Sequence, residues 1–323
     1  MIFKRAILFV IIGVILIAGV AYGKDDPAVL YSGTYSKELN VPTGSQVYYP
    51  SGTYYFTEMD LRVSARSIPM TWERTYRSNR VLKKNTQWVF GEPADGPLGF
   101  GWTSPWFIKI EGDAFINEQG RYFYFQKDSV GNYLPNMEAG YVLRKTSTGY
   151  ELIETGSNTY TFDTTGKLTS IKDPRGNTAT LTYNTDNKLL SIKDIMGRTI
   201  FTFTHNSGGR ISSVTDIAGR TINYEYDTTG NLIKVSTTQN SQSITLSTYT
   251  YNANHGITTK SNPLNETYTI EYYPVWVDKG IAKRVIDPVG TEMLKQGQQP
   301  VGHEMTFTYD FPNRVFYYTD YRG

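Results

Sequence analysis

The chain has no cysteine and three histidines in 323 residues. Without cysteine there is no disulfide framework, no thiolate nucleophile and no cysteine-bound metal. His205, His255 and His303 lie too far apart to make a His-x-x-x-His metal motif, and neither a metal nor another cofactor is predicted. No Gly-x-Ser-x-Gly elbow and no phosphate-binding glycine loop occurs. Charge is balanced, with 32 Lys and Arg against 30 Asp and Glu, which argues against a nucleic-acid partner. After residue 23 no apolar run approaches the length of a membrane span.

The one long apolar run stands at the start. Lys4 and Arg5 precede an apolar stretch over residues 6–22, and Ala21-Tyr22-Gly23 offers small residues for cleavage before Lys24. This predicts an export signal over residues 1–23, with a retained N-terminal anchor as the alternative. No cysteine follows, so a lipid anchor at this site is excluded. Removal of Lys4 and Arg5 leaves 30 basic residues against 30 acidic. The predicted location is secreted or cell-surface, with no membrane contact once the signal is gone.

What the chain has in abundance is tyrosine, 26 residues, with 15 Phe and 29 Gly. Together with many threonines and few helix formers, this composition predicts an all-β fold. The stretch 160–216 repeats one phrase. Tyr160, Phe162 and Asp163 lead to Gly166, Leu168 and Ile171, then to Asp173 and Gly176. Leu181, Tyr183, Asn184, Leu189 and Ile192 repeat the order, ending in Asp194 and Gly197. Phe201 and Phe203 lead into Thr204 and on to Ile211, Val214, Asp216 and Gly219. Tyr224, Tyr226, Asp227, Gly230, Leu232 and Val235 open a further copy. Apolar and polar residues alternate within each copy, the period of a half-buried strand. Asp at the first and Gly at the fourth position suit a type I turn. Asp173, Asp194 and Asp216 are 21 and 22 residues apart. That is room for two strands of roughly five residues and two tight turns, an antiparallel meander of repeats. Leu168 and Ile171 are three apart, which puts them on opposite faces of an ideal strand. Either a β-bulge lies between them or Leu168 still belongs to the turn.

The phrase Tyr-x-Tyr-Asp-x-x-Gly-x-Leu, followed by Asp-x-x-Gly-Arg-Thr, resembles the YD repeat of the RHS (rearrangement hot spot) family. Residues 224–232 match it fully, and residues 160–168 match with Phe162 in place of the second Tyr. Upstream, the pairs Gly52/Tyr55 and Asp60/Leu61, the strand from Arg74 to Ser78 and the loop Gly96-Pro-Leu-Gly-Phe-Gly-Trp102 resemble the DUF6531 domain that precedes such repeats. The resemblance implies hairpins coiling into a continuous sheet that encloses a hollow, with a variable toxin domain often following. The predicted organisation is a signal (1–23), a polar leader (24–40), a β-rich DUF6531-like domain (41–150) and repeats (151–323). Repeats drift after Val235: Asn252, Asn262 and Asn265 stand for Asp or Gly, Asp287 opens a further turn, and an insertion covers residues 296–302. The chain stops in an opening turn, so a longer protein is expected, its remaining C-terminal part or a toxin domain being the natural partner. No toxin domain or self-cleavage site is visible, and the signal-like start departs from family members exported without one.

Candidates for chemistry are few. Glu58 and Asp60, two apart on a strand, could form a paired-acid site, although an Asp that fixes a turn or strand end is the plainer reading. Arg74 and Arg77 beside Trp72 and Tyr76 suggest a cation–π packing stack. Trp106 to Ile110 reads as a strand, and the aromatic run 122–125 as a strand buried on both faces or at an interface. His205 and His255 fall at repeat turns. Trp72 and Trp102 are the candidate ligand contacts for a sugar, while the tyrosine columns face inward as core. No catalytic residue is assigned. The expected function is a structural shell segment, with a carbohydrate-binding surface module as the alternative and a glycosidase behind that.

Overall fold

The computed structural model describes residues 5–7, 47–48, 52–310 and 315–319, apart from 66, 85–86, 92, 119, 121, 138, 240 and 275–279. The expected leader, the signal apart from residues 5–7, and residues 320–323 lie outside the described residues.

Sixteen antiparallel strands, from Tyr141–Thr146 to Val315–Thr319, follow one another in chain order as a single sheet. The repeat phrase builds it as its chemistry dictates. At the turn after Phe162, the Gly166 N–H donates to the Asp163 carbonyl at 3.0 Å. Asp163 Oδ1 accepts from the backbone N–H groups of Thr165 at 2.8 Å and Lys167 at 3.0 Å. Asn184, Asn252 and Asn262 do the same with their amide oxygens. The copies that look degenerate therefore keep the turn, because an Asn oxygen accepts as an Asp oxygen does. The left-handed position is filled by Asn187, His255 and Asn265 where glycine is missing.

A bulge reconciles Leu168 with Ile171. Thr161 pairs with Ser170 and Phe162 with Leu168, so Thr169 is the extra residue. Leu190, Ser212, Ile233 and Thr258 occupy the same place in later copies. The inserted residue turns the strand over once, and both members of each apolar pair are buried. The third copy is placed differently from its sequence reading. His205 ends the Thr199–His205 strand and pairs with Ile211, and the turn begins at Asn206.

Ahead of this sheet lie three small ones. Val47–Tyr48, Thr53–Val63, Met70–Arg77 and Trp102–Thr103 form one, Lys109–Glu111, Ala114–Ile116 and Tyr122–Tyr124 a second, and Arg80–Lys84 with Gln87–Gly91 a third. Two sequence expectations are corrected here. Pro105–Phe107 is a 3-10 turn, since Pro105 fixes the first helical φ and Trp106 plugs the core, its indole N–H on the Thr71 carbonyl at 2.8 Å. The Tyr122–Tyr124 strand is half-buried at the sheet's edge rather than buried on both faces. A third correction falls at Asp287. Instead of a tight turn, it N-caps the helix Pro288–Lys295, its carboxylate accepting from the Gly290 N–H at 2.8 Å. Asp-Pro-x-Gly suits either fate, because Pro is as good at the first helical position as in a turn. The apolar faces of the first small sheet, the second, and the long sheet meet in one continuous core.

Candidate functional site: a buried polar latch

The Met70–Arg77 strand turns Trp72, Arg74 and Tyr76 toward the long sheet. Opposite Trp72 and Glu73, beside Arg74, the Thr53–Val63 strand carries a bulge between Met59 and Leu61, which leaves Asp60 free to point inward. Arg74 Nε donates to Asp60 Oδ2 at 2.6 Å and Nη2 to Oδ1 at 3.0 Å, a bidentate pair. The side chains are 1% and 4% exposed. Burial pulls the Arg74 pKa down, but Asp60 beside it outweighs that and raises it.

Two tyrosines from distant repeats complete the pair. The Tyr224 hydroxyl donates to Asp60 Oδ2 at 2.6 Å and accepts the Trp72 indole N–H at 2.7 Å. Burial first, then the Asp60 charge, pushes the Tyr224 pKa well up, so it stays a neutral donor. Tyr249 accepts from Arg74 Nη1 at 3.0 Å. Trp102 lies with its ring 4.8 Å from the guanidinium carbon and gives its N–H to the Tyr251 hydroxyl at 3.0 Å. Tyr76 donates to the His255 carbonyl at 2.8 Å and accepts from the Ile257 N–H at 3.0 Å. A cation with its carboxylate and ring partners thus fastens the front strands to repeats some 150–180 residues later in the chain.

The loop from Gly96 to Trp102 makes a second contact, along the rim of the sheet that carries the Asp163, Asn206, Asp227 and Asn252 turns. The Ile211 N–H donates to the Pro97 carbonyl at 2.8 Å, Arg210 pairs with Asp95 at 2.8 Å, and Phe100 stacks on His255 at 3.6 Å between centroids. A Cβ on Gly99 would sit 2.6 Å from the Gly230 carbonyl oxygen, so the loop can lie this close only as glycine.

The expected site residues are placed as follows. Trp72 and Trp102 are buried at 0% and 2% exposure, with their N–H groups engaged. They are therefore corrected from ligand contacts to core anchors, because neither offers an open ring face. Glu58 and Asp60 each hold their own cation, Lys260 at 2.5 Å and Arg74, rather than acting as a pair. The cation–π contact is real but runs from Arg74 to Trp102, Tyr224 and Tyr249, not to its strand neighbours. Among the described residues no cluster of three or more His, Cys, Asp or Glu gathers for a metal. The motif residues Phe162, Leu168, Tyr224 and Leu232 are core, and Asp163, Asp173, Asp194, Asp216 and Asp227 fix turns.

Sequence reasoning missed a ladder of hydroxyls. Tyr183, Tyr226, Tyr251 and Tyr272 donate to the carbonyls of Leu168, Ile211, Leu232 and Ile257 at 2.7–2.9 Å. Each acceptor is the residue just before the bulge of the preceding hairpin, so each tyrosine ties its copy to the one before. The signal was present in three of the four: Tyr183, Tyr226 and Tyr251 stand directly ahead of Asn or Asp, where phenylalanine would have packed equally well.

Family models match both halves of this architecture. A domain of unknown function, DUF6531, covers residues 44–125, and an RHS repeat covers residues 205–242. The chain thus carries a DUF6531 domain followed by an RHS repeat. No curated protein matches it. Solved structures similar to the RHS chain include a crystal structure of TcdB2-TccC3-Cdc42, at 14% identity and a TM-score of 0.34, over 78% of this chain and 18% of that one. The Photorhabdus luminescens Tc holotoxin pore is another, at 13% identity and a TM-score of 0.32, over 80% of this chain and 13% of that one. The RHS chain thus spans less than a fifth of the length of these structures. No helix among its described residues is long and apolar enough to cross a membrane.

Proposed function

We propose that this chain is a wall segment of an exported RHS shell, that it catalyses nothing itself, and that a toxin or effector domain on the carboxyl side is its cargo. The observation that carries the reading is where the reactive groups are spent. Asp60, Arg74, Tyr224 and His255 hold one part of the chain to another, across a sheet of sixteen consecutive strands. Such a sheet grows by adding hairpins, four of them bound to the last by a tyrosine hydroxyl, and so makes a wall of any length from one phrase. The apolar run over residues 6–22 supplies the route of export.

The test is the size and location of the native product, blotted with an antibody against residues 160–216. The expected band lies in the exported fraction, well above the size of 323 residues. A mature product no longer than this chain, or one kept in the cytoplasm, overturns the reading.

A further inference from the structure

In an antiparallel meander alternate turns fall on opposite rims, and the two rims of this sheet differ. One carries Thr164-Thr165, Thr185-Asp186, Ser207-Gly208 and Thr228-Thr229 at its tips, and the loop through Pro97 and Phe100 lies along it. The other is touched by the front of the chain at the Asp173 turn, through Ser67, and at the Asp216 turn, where Arg220 donates to the Arg62 carbonyl, and it carries apolar side chains at its tips. Met196 is 70% exposed, Ile217 49%, Leu264 77% and Val289 55%. Same-rim turns are two strands apart, so tips on neighbouring turns stand roughly 10 Å apart along the edge, and Ile217 and Leu264, with the 239–242 turn between them, about twice that.

Charge divides this second rim in half. The turns around Asp173, Asp194 and Asp216 bring five cations (Lys172, Arg175, Lys193, Arg198, Arg220) against those three carboxylates. The next turn, residues 239–242, is uncharged. Beyond it, Glu266, Asp287 and Glu292 stand against Lys295. A two-fold axis between the third and fourth of these six turns brings the first opposite the sixth and the second opposite the fifth. Basic then meets acidic, and Met196 meets Leu264, twice over.

We propose that this rim binds a second copy of the same chain, rim to rim about a two-fold axis. The assignment is independent of the shell reading, since it rests on the pattern of tips and charges. A self-complementary patch is what an isologous contact requires, and opposed charges set its register while the apolar tips exclude water.

Analytical ultracentrifugation of the purified chain tests it. The wild type is expected to dimerise, and to do so less tightly at high salt. Met196→Asp and Arg175→Glu are each expected to weaken the dimer by about tenfold or more, with melting temperature unchanged because both side chains are exposed. Glu292→Lys added to Arg175→Glu restores opposite charges across the axis and should recover the dimer to within about threefold. A wild type that stays monomeric overturns the proposal, as does one that is monomeric and sediments with anionic vesicles. So does a dimer indifferent to both single changes, or a charge swap that folds and does not restore association.

Discussion

Arg74 Nε lies 2.6 Å from Asp60 Oδ2, and both side chains are sealed from solvent. A buried ion pair is costly to break because the survivor keeps its charge without its partner. Arg74→Met is therefore expected to cost about 3–5 kcal/mol, read from the midpoint of chemical denaturation. Removing both charges, as Arg74→Met with Asp60→Leu, should recover much of that loss. A double variant no more stable than the single one would show that the pair is not the unit that matters.

The hydroxyl ladder makes a graded prediction. Tyr226→Phe keeps the ring and removes one bond to the Ile211 carbonyl, for an expected loss of about 1 kcal/mol. Tyr251→Phe should cost more, because that hydroxyl also accepts the Trp102 indole N–H, which would be left buried and unpaired. Equal losses at the two positions would remove Trp102 from the account.

Much of this was legible in the chain, and the reason is periodicity. Asp163-x-x-Gly166 names its own turn, and the alternation through Ala179, Leu181 and Tyr183 names the buried face. The Leu168/Ile171 spacing even flagged the bulge. Illegible were the partners of Asp60 and Arg74, since nothing local in sequence links residue 74 to residue 249. Trp72 and Trp102 misled for the same reason. An indole suits a sugar face or a core equally, and only the arrival of Tyr224 and Tyr251 decides. Asp287 failed differently, as its local chemistry fits a turn and a helix cap alike.

Turn glycines should separate into two classes. A Cβ at Gly166 would fall 1.9 Å from the Ile110 carbonyl oxygen, where the front of the chain crosses the sheet, whereas at Gly197 nothing lies within 4 Å. Gly197→Ala then carries only the left-handed backbone cost of about 1–2 kcal/mol. Gly166→Ala must also push the Lys109–Glu111 strand away, and is expected to melt far lower or fail to accumulate as soluble protein. Similar melting temperatures for the two variants would mean that the front strands do not dock there.

Acid should loosen the repeat turns in a defined window. In Asp173 the Asn177 side chain leads, with backbone N–H groups, in holding the carboxyl below its usual 3.8. Burial raises Asp163, Asp194 and Asp227, but it is outweighed by the Thr165 hydroxyl, the Arg198 guanidinium and the Asn231 amide respectively, so these too end lowered. A carboxyl lowered by folding binds fewer protons folded than unfolded, so its stabilisation is complete above the unfolded value. It is lost as pH falls through the folded one. Melting temperature should therefore be flat with respect to these groups above about pH 5 and fall progressively below about pH 4. Asn184, Asn252 and Asn262 already hold their turns with an oxygen that does not titrate. Asp163→Asn should thus keep its turn at neutral pH and lose less stability on acidification than the parent. Acid sensitivity identical in the variant and the parent would place the titrating groups somewhere other than the turns.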